Sequence, residues 1–134
     1  MSHSRSLFRK LLTKLYLFAI NEDMAEQRFL GEFELMILLA ILRLENVTYG
    51  VPLARELSDL RGRDVSLGSV YATLDRLELK GLVKSTLGES TPERGGRAKR
   101  FFTVTAAGVR SLHETRRVLS VLWKKLPPGK GEMA

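Results

Sequence analysis

The sequence has no cysteine and only two histidines, His3 and His113. The absence of cysteine excludes disulfides, thiolate metal ligands and cysteine nucleophiles, and it favours a reducing compartment such as the cytoplasm. The two histidines are far apart, and neither belongs to an H-x-x-x-H or H-E-x-x-H pattern. The sequence therefore predicts no metal centre.

Long hydrophobic runs and phosphate-binding motifs are also missing. The longest apolar run extends only from Leu35 to Leu42, much shorter than the roughly 20 residues with which a helix crosses a bilayer, so we expect no membrane insertion. Segment 88–99 lacks the G-x-x-x-x-G-K-[ST] spacing of a nucleotide-binding loop. Glu32 and Glu34 lie on different faces of a helix and are not an acid–base pair. We predict a protein that is not an enzyme and has no cofactor.

Positive charge is in excess in this chain of 134 residues. It contains 22 Lys and Arg against 15 Asp and Glu, which gives a net charge of +7, and its hydrophobic fraction of 44% is sufficient for one folded domain. A basic chain of this kind favours polyanionic partners, which are nucleic acid or an anionic membrane surface.

Residues 1–23 form a basic amphipathic extension. No acidic residue precedes Glu22, and the leucines between Leu7 and Leu15 fall on one face of a helix. Three interpretations stay open: the helix lies on a membrane surface, it packs on a partner as part of an adaptor, or it has no separate role. The third would hold if Met24 were the true start. After this extension we expect a folded domain over 24–104, a helix over 105–126 and a tail over 127–134.

Three helices are predicted in the domain. The first, from Phe33 to Leu42, is apolar on nearly every side and must be buried on more than one face, which favours a dimer. The second begins near Pro52 and ends near Leu60. The third is capped by Ser66 and terminated by Gly81. Its predicted buried face contains Leu67, Val70, Leu74 and Leu77, and its outer face contains Ser69, Ala72, Thr73, Arg76 and Lys80.

Two strands and a long helix follow. Residues 82–87 and 99–104 predict a hairpin, whose long loop contains Arg94 and Arg97 and has Lys99 and Arg100 at its root. Thr105 is expected to cap the last helix. An approximate heptad seam along this helix consists of Val109, Leu112, Leu119, Leu122 and Leu126, with Trp123 beside it.

This order of elements predicts a mainly α fold with a small β-hairpin, namely a winged helix-turn-helix domain followed by a long C-terminal dimerisation helix. The third helix of such a domain fits the major groove of DNA, and the cationic loop of the hairpin reaches the flanking phosphates. An RNA-binding winged helix is the alternative for the same pattern.

The ordered set of motifs resembles the PadR-like transcriptional regulators over residues 29 to 126. The matching segments are Leu30 to Leu35, Thr48-Tyr49-Gly50, Gly68 to Tyr71, Arg76-Leu77-Glu78, Gly81-Leu82-Val83, Gly96 to Phe102 and Thr103 to Gly108. Two motifs depart from the family pattern: G-T-L-Y-P becomes Gly68 to Ala72 without the proline, and Y-G-Y-E becomes Tyr49 to Pro52, which keeps the first tyrosine and the glycine but lacks the second tyrosine and the acid.

The resemblance implies a cytoplasmic homodimeric regulator, a repressor that binds a pseudo-palindromic site on double-stranded DNA. The expected DNA-contacting residues are Tyr49, Ser69, Tyr71, Thr73, Arg76, Lys80, Arg94, Arg97, Lys99 and Arg100. The expected dimer contacts are Phe33, Ile37, Leu112, Leu119, Leu122, Trp123 and Leu126. Because some members of this family bind flat aromatic effectors between subunits, a small aromatic effector near Trp123 is a further hypothesis, whereas His113 is expected to have only a surface or interface role.

Overall fold

A computed structural model describes residues 5–16, 30–88 and 98–130 of the chain. A first helix, α1, covers residues 5–16. The remaining elements, in chain order, are α2 (Glu32–Arg43), α3 (Gly50–Arg61), α4 (Leu67–Leu79), β1 (Val83–Leu87), β2 (Arg100–Val104) and α5 (Ala106–Trp123). The predicted loop cations Arg94 and Arg97 lie outside the described residues.

Helix α2 forms the centre of the core. Glu34 accepts the Gly31 N–H at 3.0 Å and caps the helix, and one side of α2 is completely buried against α3 and α4. The prediction that Ile37 lies in a dimer interface is wrong, because this side chain is 0% exposed within its own chain. On the opposite side of α2, Leu39 and Leu42 are exposed, so this apolar face is not buried within the chain itself.

Helices α3 and α4 form the helix-turn-helix. The turn between them contains Gly62 in the left-handed conformation, and Ser58 Oγ accepts the Val65 N–H at 2.9 Å. Ser66 caps α4 by accepting the Ser69 N–H, and Gly81 adopts a φ of 75° just after the helix, as the sequence predicts. Leu67 was expected in the buried face but is exposed, because it lies in the first turn of α4, before the helix reaches the core.

Strands β1 and β2 form an antiparallel hairpin in which Val83 pairs with Val104 and Leu87 with Arg100. Phe102 is fully buried and exchanges two backbone hydrogen bonds with Thr48, which precedes α3. The hairpin is thereby attached to the helical core at its centre.

Helix α5 directly follows β2, packs near the hairpin at its start and is exposed at its end. Thr105 caps it by accepting the Gly108 N–H, and Gly108 lies so close to the Leu82 carbonyl that a β-carbon would not fit. Leu112 is largely buried in its own chain, so its place in the predicted dimer seam is corrected to the core. Between Val121 and Leu126 the apolar side chains are exposed. Within the described ranges, none of the helices has the length and apolar character that a bilayer span requires.

Candidate nucleic-acid interface

The solvent-exposed residues of α4 include three small ones and one arginine, with Asp75 and Leu79 beside them. Gly68, Ser69, Ala72 and Arg76 are exposed, and Tyr71 is half-buried at the edge of this face. The first turn of α4 contains no acidic residue, so its free N–H groups and helix dipole leave a positive potential there. A surface of this shape and charge can approach a polyanion closely.

Arg76 is held in place by a chain of hydrogen bonds along α4. Its Nη2 donates to Thr73 Oγ1 at 3.1 Å, and Thr73 Oγ1 donates to the Ser69 carbonyl at 2.9 Å. Thr73 is 1% exposed. Its predicted contact with DNA is therefore corrected: the hydroxyl is inaccessible from solvent and orients the guanidinium of Arg76.

Lys80 is paired within the chain. Its Nζ lies 2.7 Å from Glu34 Oε2, and both side chains are largely buried. Burial of Glu34 raises the pKa of its carboxyl, but the hydrogen bonds from Lys80 and from the Gly31 N–H outweigh this effect, and the pKa lies below its ordinary value. Lys80 thus joins α4 to α2, and the geometry does not support its predicted contact with DNA.

Two tyrosines and a lysine gather between α3, α4 and the hairpin. Lys99 Nζ lies 4.4 Å from the ring centroid of Tyr49 and 3.4 Å from its hydroxyl, and Phe101 meets that ring edge-on. Tyr71 lies against Gly50, where a β-carbon would come 2.7 Å from the tyrosine hydroxyl oxygen. Glycine at position 50 therefore makes room for Tyr71. We call Tyr49, Tyr71 and Lys99 the tyrosine patch.

Arg100 differs from its neighbour Lys99. Its guanidinium forms ion pairs with Asp75, at 3.1 Å, and with Glu78, both on α4. Glu78 also accepts a hydrogen bond from Ser85 on β1. Arg100 therefore fastens the hairpin to α4 with its charge neutralised, and its predicted role as a DNA contact is not supported by the geometry.

Two further cations, which the sequence motifs did not indicate, lie where α3 ends and the turn to α4 begins. Arg61 and Arg63 flank Gly62, are exposed, and border a cleft of about 490 Å³ that Ser66 and Ser69 also line. The available signal was the arginine on each side of a glycine immediately before the third helix. Phe33 borders the same cleft and is half-buried.

A second surface, between α2 and α5, is apolar. We call it the α2–α5 groove: a depression of about 380 Å³ lined by Leu35, Leu39, Leu42, Val109, Leu112, His113, Arg116, Leu119, Ser120 and Trp123. Of the predicted dimer residues, Leu119 and Trp123 line this groove, the largely buried Leu112 forms part of its floor, and Leu122 and Leu126 continue the apolar surface beyond it.

A helix-turn-helix with a small, positively charged outer face, followed by a β-hairpin with cations at its root, defines a winged-helix DNA-binding domain. Comparison with known proteins gives the family. Residues 38–114 match the sequence model of the transcriptional regulator PadR-like family. The chain belongs to this family, and it is a DNA-binding transcriptional regulator.

Individual relatives agree with this assignment. The chain is 38% identical over 90 residues to the transcriptional regulator Rv3488 of Mycobacterium tuberculosis, covering 67% of this chain and 79% of the relative. A crystal structure of a PadR-like transcriptional regulator from Bacillus cereus superimposes with a TM-score of 0.56 at 26% identity, over 69% of this chain and 84% of the other. The structure of RosR from H. salinarum gives a TM-score of 0.53 at 25% identity, over 75% and 82%.

Proposed function

We propose that the protein is a repressor that binds a pseudo-palindromic promoter site as a homodimer. The observation that carries this proposal is the outer face of α4, where the small residues Gly68, Ser69 and Ala72 precede an exposed Arg76 that is fixed by Thr73. Such a face enters the major groove without obstruction, and a guanidinium held in one orientation is suited to reading a guanine edge.

The flanking contacts are assigned to the sugar-phosphate backbone. The tyrosine patch offers two hydroxyl groups and an ammonium beside α4, and Arg61 and Arg63 offer cations at the other end of the helix. Arg94 and Arg97 of the hairpin loop remain candidates from the sequence. Contacts of this kind fix the register of a protein on DNA, whereas the side chains on α4 select the sequence.

The α2–α5 groove supports the homodimer. Leu39 on α2 and the exposed Leu122, Trp123 and Leu126 at the end of the chain form a continuous apolar surface of the kind that mediates association. A two-fold pair would place two α4 helices in successive major grooves about 34 Å apart. In this proposal 24–104 is the DNA-binding part and 105–126 the dimerisation helix.

Release of DNA would follow from a change in that dimer. A small aromatic effector in the α2–α5 groove would weaken operator binding if it favoured a dimer with a different spacing between the α4 helices. A ligand shifts a conformational equilibrium only when it binds the two conformations of the protein with different affinities.

A protein that acts on promoters works where the chromosome is, so we place it in the cytoplasm, without catalytic activity or a cofactor.

The proposal is tested by fluorescence anisotropy with a duplex from upstream of the protein's own gene and a scrambled duplex, between about 50 and about 300 mM salt. We expect the upstream duplex to bind about 10³-fold more tightly. The variant Arg76→Ala should lose most of that preference, whereas Arg110→Ala, which removes an exposed cation from α5, should keep it. Equal and weak binding to both duplexes, or preference for an RNA duplex, would contradict the proposal.

A further inference from the structure

Helix α1 exposes an apolar face. Its six large apolar side chains are each more than half exposed, and at 3.6 residues per turn they occupy one half of the helix surface. They are Leu7, Phe8, Leu11, Leu12, Leu15 and Tyr16. The matched region of the family begins at residue 38, so α1 is outside the part of the chain that the DNA-binding fold explains.

Cations line both edges of this face. On the same helical projection Arg5 and Arg9 lie at one edge and Lys10 and Lys14 at the other, and α1 contains no acidic residue. The side chains at the centre of the polar half are Ser6 and Thr13. Long cationic side chains at the two edges can extend sideways while the face between them is buried, an arrangement typical of helices that lie at a membrane interface.

Other occupants fit this pattern less well. The α2–α5 groove contains the cation Arg116, and it would place this charge against the cations of α1. Two α1 helices packed face to face would bring their cationic edges together. DNA would neutralise the cations but leave the apolar face in water, so only an anionic surface with an apolar layer beneath it satisfies both features.

We propose that α1 lies in the plane of an anionic phospholipid bilayer and docks the regulator on the membrane surface. The apolar face enters the boundary between headgroups and acyl chains, and the four cations contact lipid phosphates. The helix rests on the bilayer and does not cross it. This inference is independent of the repressor proposal, because it concerns a segment outside the DNA-binding face.

The test is flotation of the full-length protein with vesicles of phosphatidylcholine alone or mixed with phosphatidylglycerol in about equal parts. We expect binding to the mixed vesicles and at least about tenfold weaker binding to the neutral ones. The double variant Phe8→Ser/Leu11→Ser should reduce binding to mixed vesicles about tenfold or more. Val47→Ser/Leu60→Ser is the matched control: it removes two similarly exposed apolar side chains outside α1 and should bind as the unchanged protein does.

Three results would overturn the inference. In the first, the full-length protein fails to float with mixed vesicles. In the second, Phe8→Ser/Leu11→Ser floats as well as the control, which would assign binding to the net charge of the whole chain. In the third, no vesicle binding occurs but the same variant changes the molecular mass in solution, which would assign α1 to a protein contact. Anisotropy with DNA on the same variant reports separately on the repressor proposal.

Discussion

The surface formed by α4 and the hairpin root and the surface formed by α2 and α5 are both exposed, but they are built from different side chains. On the first, cations and hydroxyl groups are fixed by bonds within the chain, as with Arg76 on Thr73 and Lys99 on Tyr49. On the second, the large apolar side chains of Leu39 and Trp123 are exposed to solvent. Fixed polar groups suit selective recognition of a charged partner, whereas loose apolar area suits association with a second copy.

The largest expected effect comes from placing a charge on the apolar surface. Trp123→Glu should convert the proposed homodimer to a monomer and weaken operator binding about a hundredfold, because two linked half-site contacts become two independent ones. Binding to random DNA at low salt should change much less. Sedimentation velocity and anisotropy measure the two quantities.

Leu60→Glu is the matched control for the sedimentation measurement, since Leu60 is equally exposed but lies on α3, away from the α2–α5 groove. A Trp123→Glu protein that stayed dimeric with full affinity for the operator would contradict the assignment of dimerisation to the surface of α2 and α5.

The second effect concerns stability. Lys80→Ala leaves the buried Glu34 carboxylate with its Gly31 N–H and without its cation, and we expect a loss of about 2 kcal/mol in the free energy of unfolding. Because the pKa of Glu34 is lowered in the folded protein, this carboxyl stabilises the fold fully well above its ordinary pKa of 4.5, and the stabilisation is lost as the pH falls through the folded pKa. Urea unfolding between neutral and acidic pH measures both changes.

Arg43→Ala provides the comparison for Lys80→Ala. Arg43 pairs with Glu56 at 2.9 Å, but its side chain is mostly exposed, so its loss should cost at most about 1 kcal/mol. An equal cost for the two variants would show that burial of the Lys80–Glu34 pair is unimportant. Folded Lys80→Ala should bind the operator as the unchanged protein does, because Lys80 faces α2.

The sequence predicted the helices, strands and caps better than it predicted the roles of individual cations. The caps at Ser66 and Thr105, the helix stop at Gly81 and the two strands of the hairpin are local features, and each was found where the pattern placed it. By contrast, Arg100 and Lys80 appeared equivalent to Lys99 and Arg76 in the sequence. Their partners Asp75, Glu78 and Glu34 are distant along the chain or on another helix, so only the packing could separate a structural cation from an available one.

Thr73 is another residue whose role depends on packing that the sequence alone did not reveal. Its polar side chain suggested the outer face of α4, yet it lies three residues after the buried Val70 and four before the buried Leu77, and the core covers it. A threonine is tolerated there because its hydroxyl bonds to the Ser69 carbonyl and receives Arg76.

A third effect would show whether this hydroxyl matters for recognition. Thr73→Val keeps the shape of the side chain and removes the partner of Arg76, so operator affinity should fall about fivefold, which corresponds to one hydrogen bond of about 1 kcal/mol. In the Arg76→Ala background the same change should have almost no effect on affinity. Additive losses in this double-mutant cycle would mean that Thr73 acts through the stability of the core.

The smallest effect is expected from the turn before α4. Arg63→Ala should weaken binding to operator and random DNA equally and lower the slope of log affinity against log salt by about 1, since one phosphate contact is lost. Arg110→Ala, on α5, should leave the slope unchanged. If Arg63→Ala altered the preference for the operator instead of the slope, Arg63 would contact a base. The face that selects the sequence would then extend from α4 into the turn that precedes it.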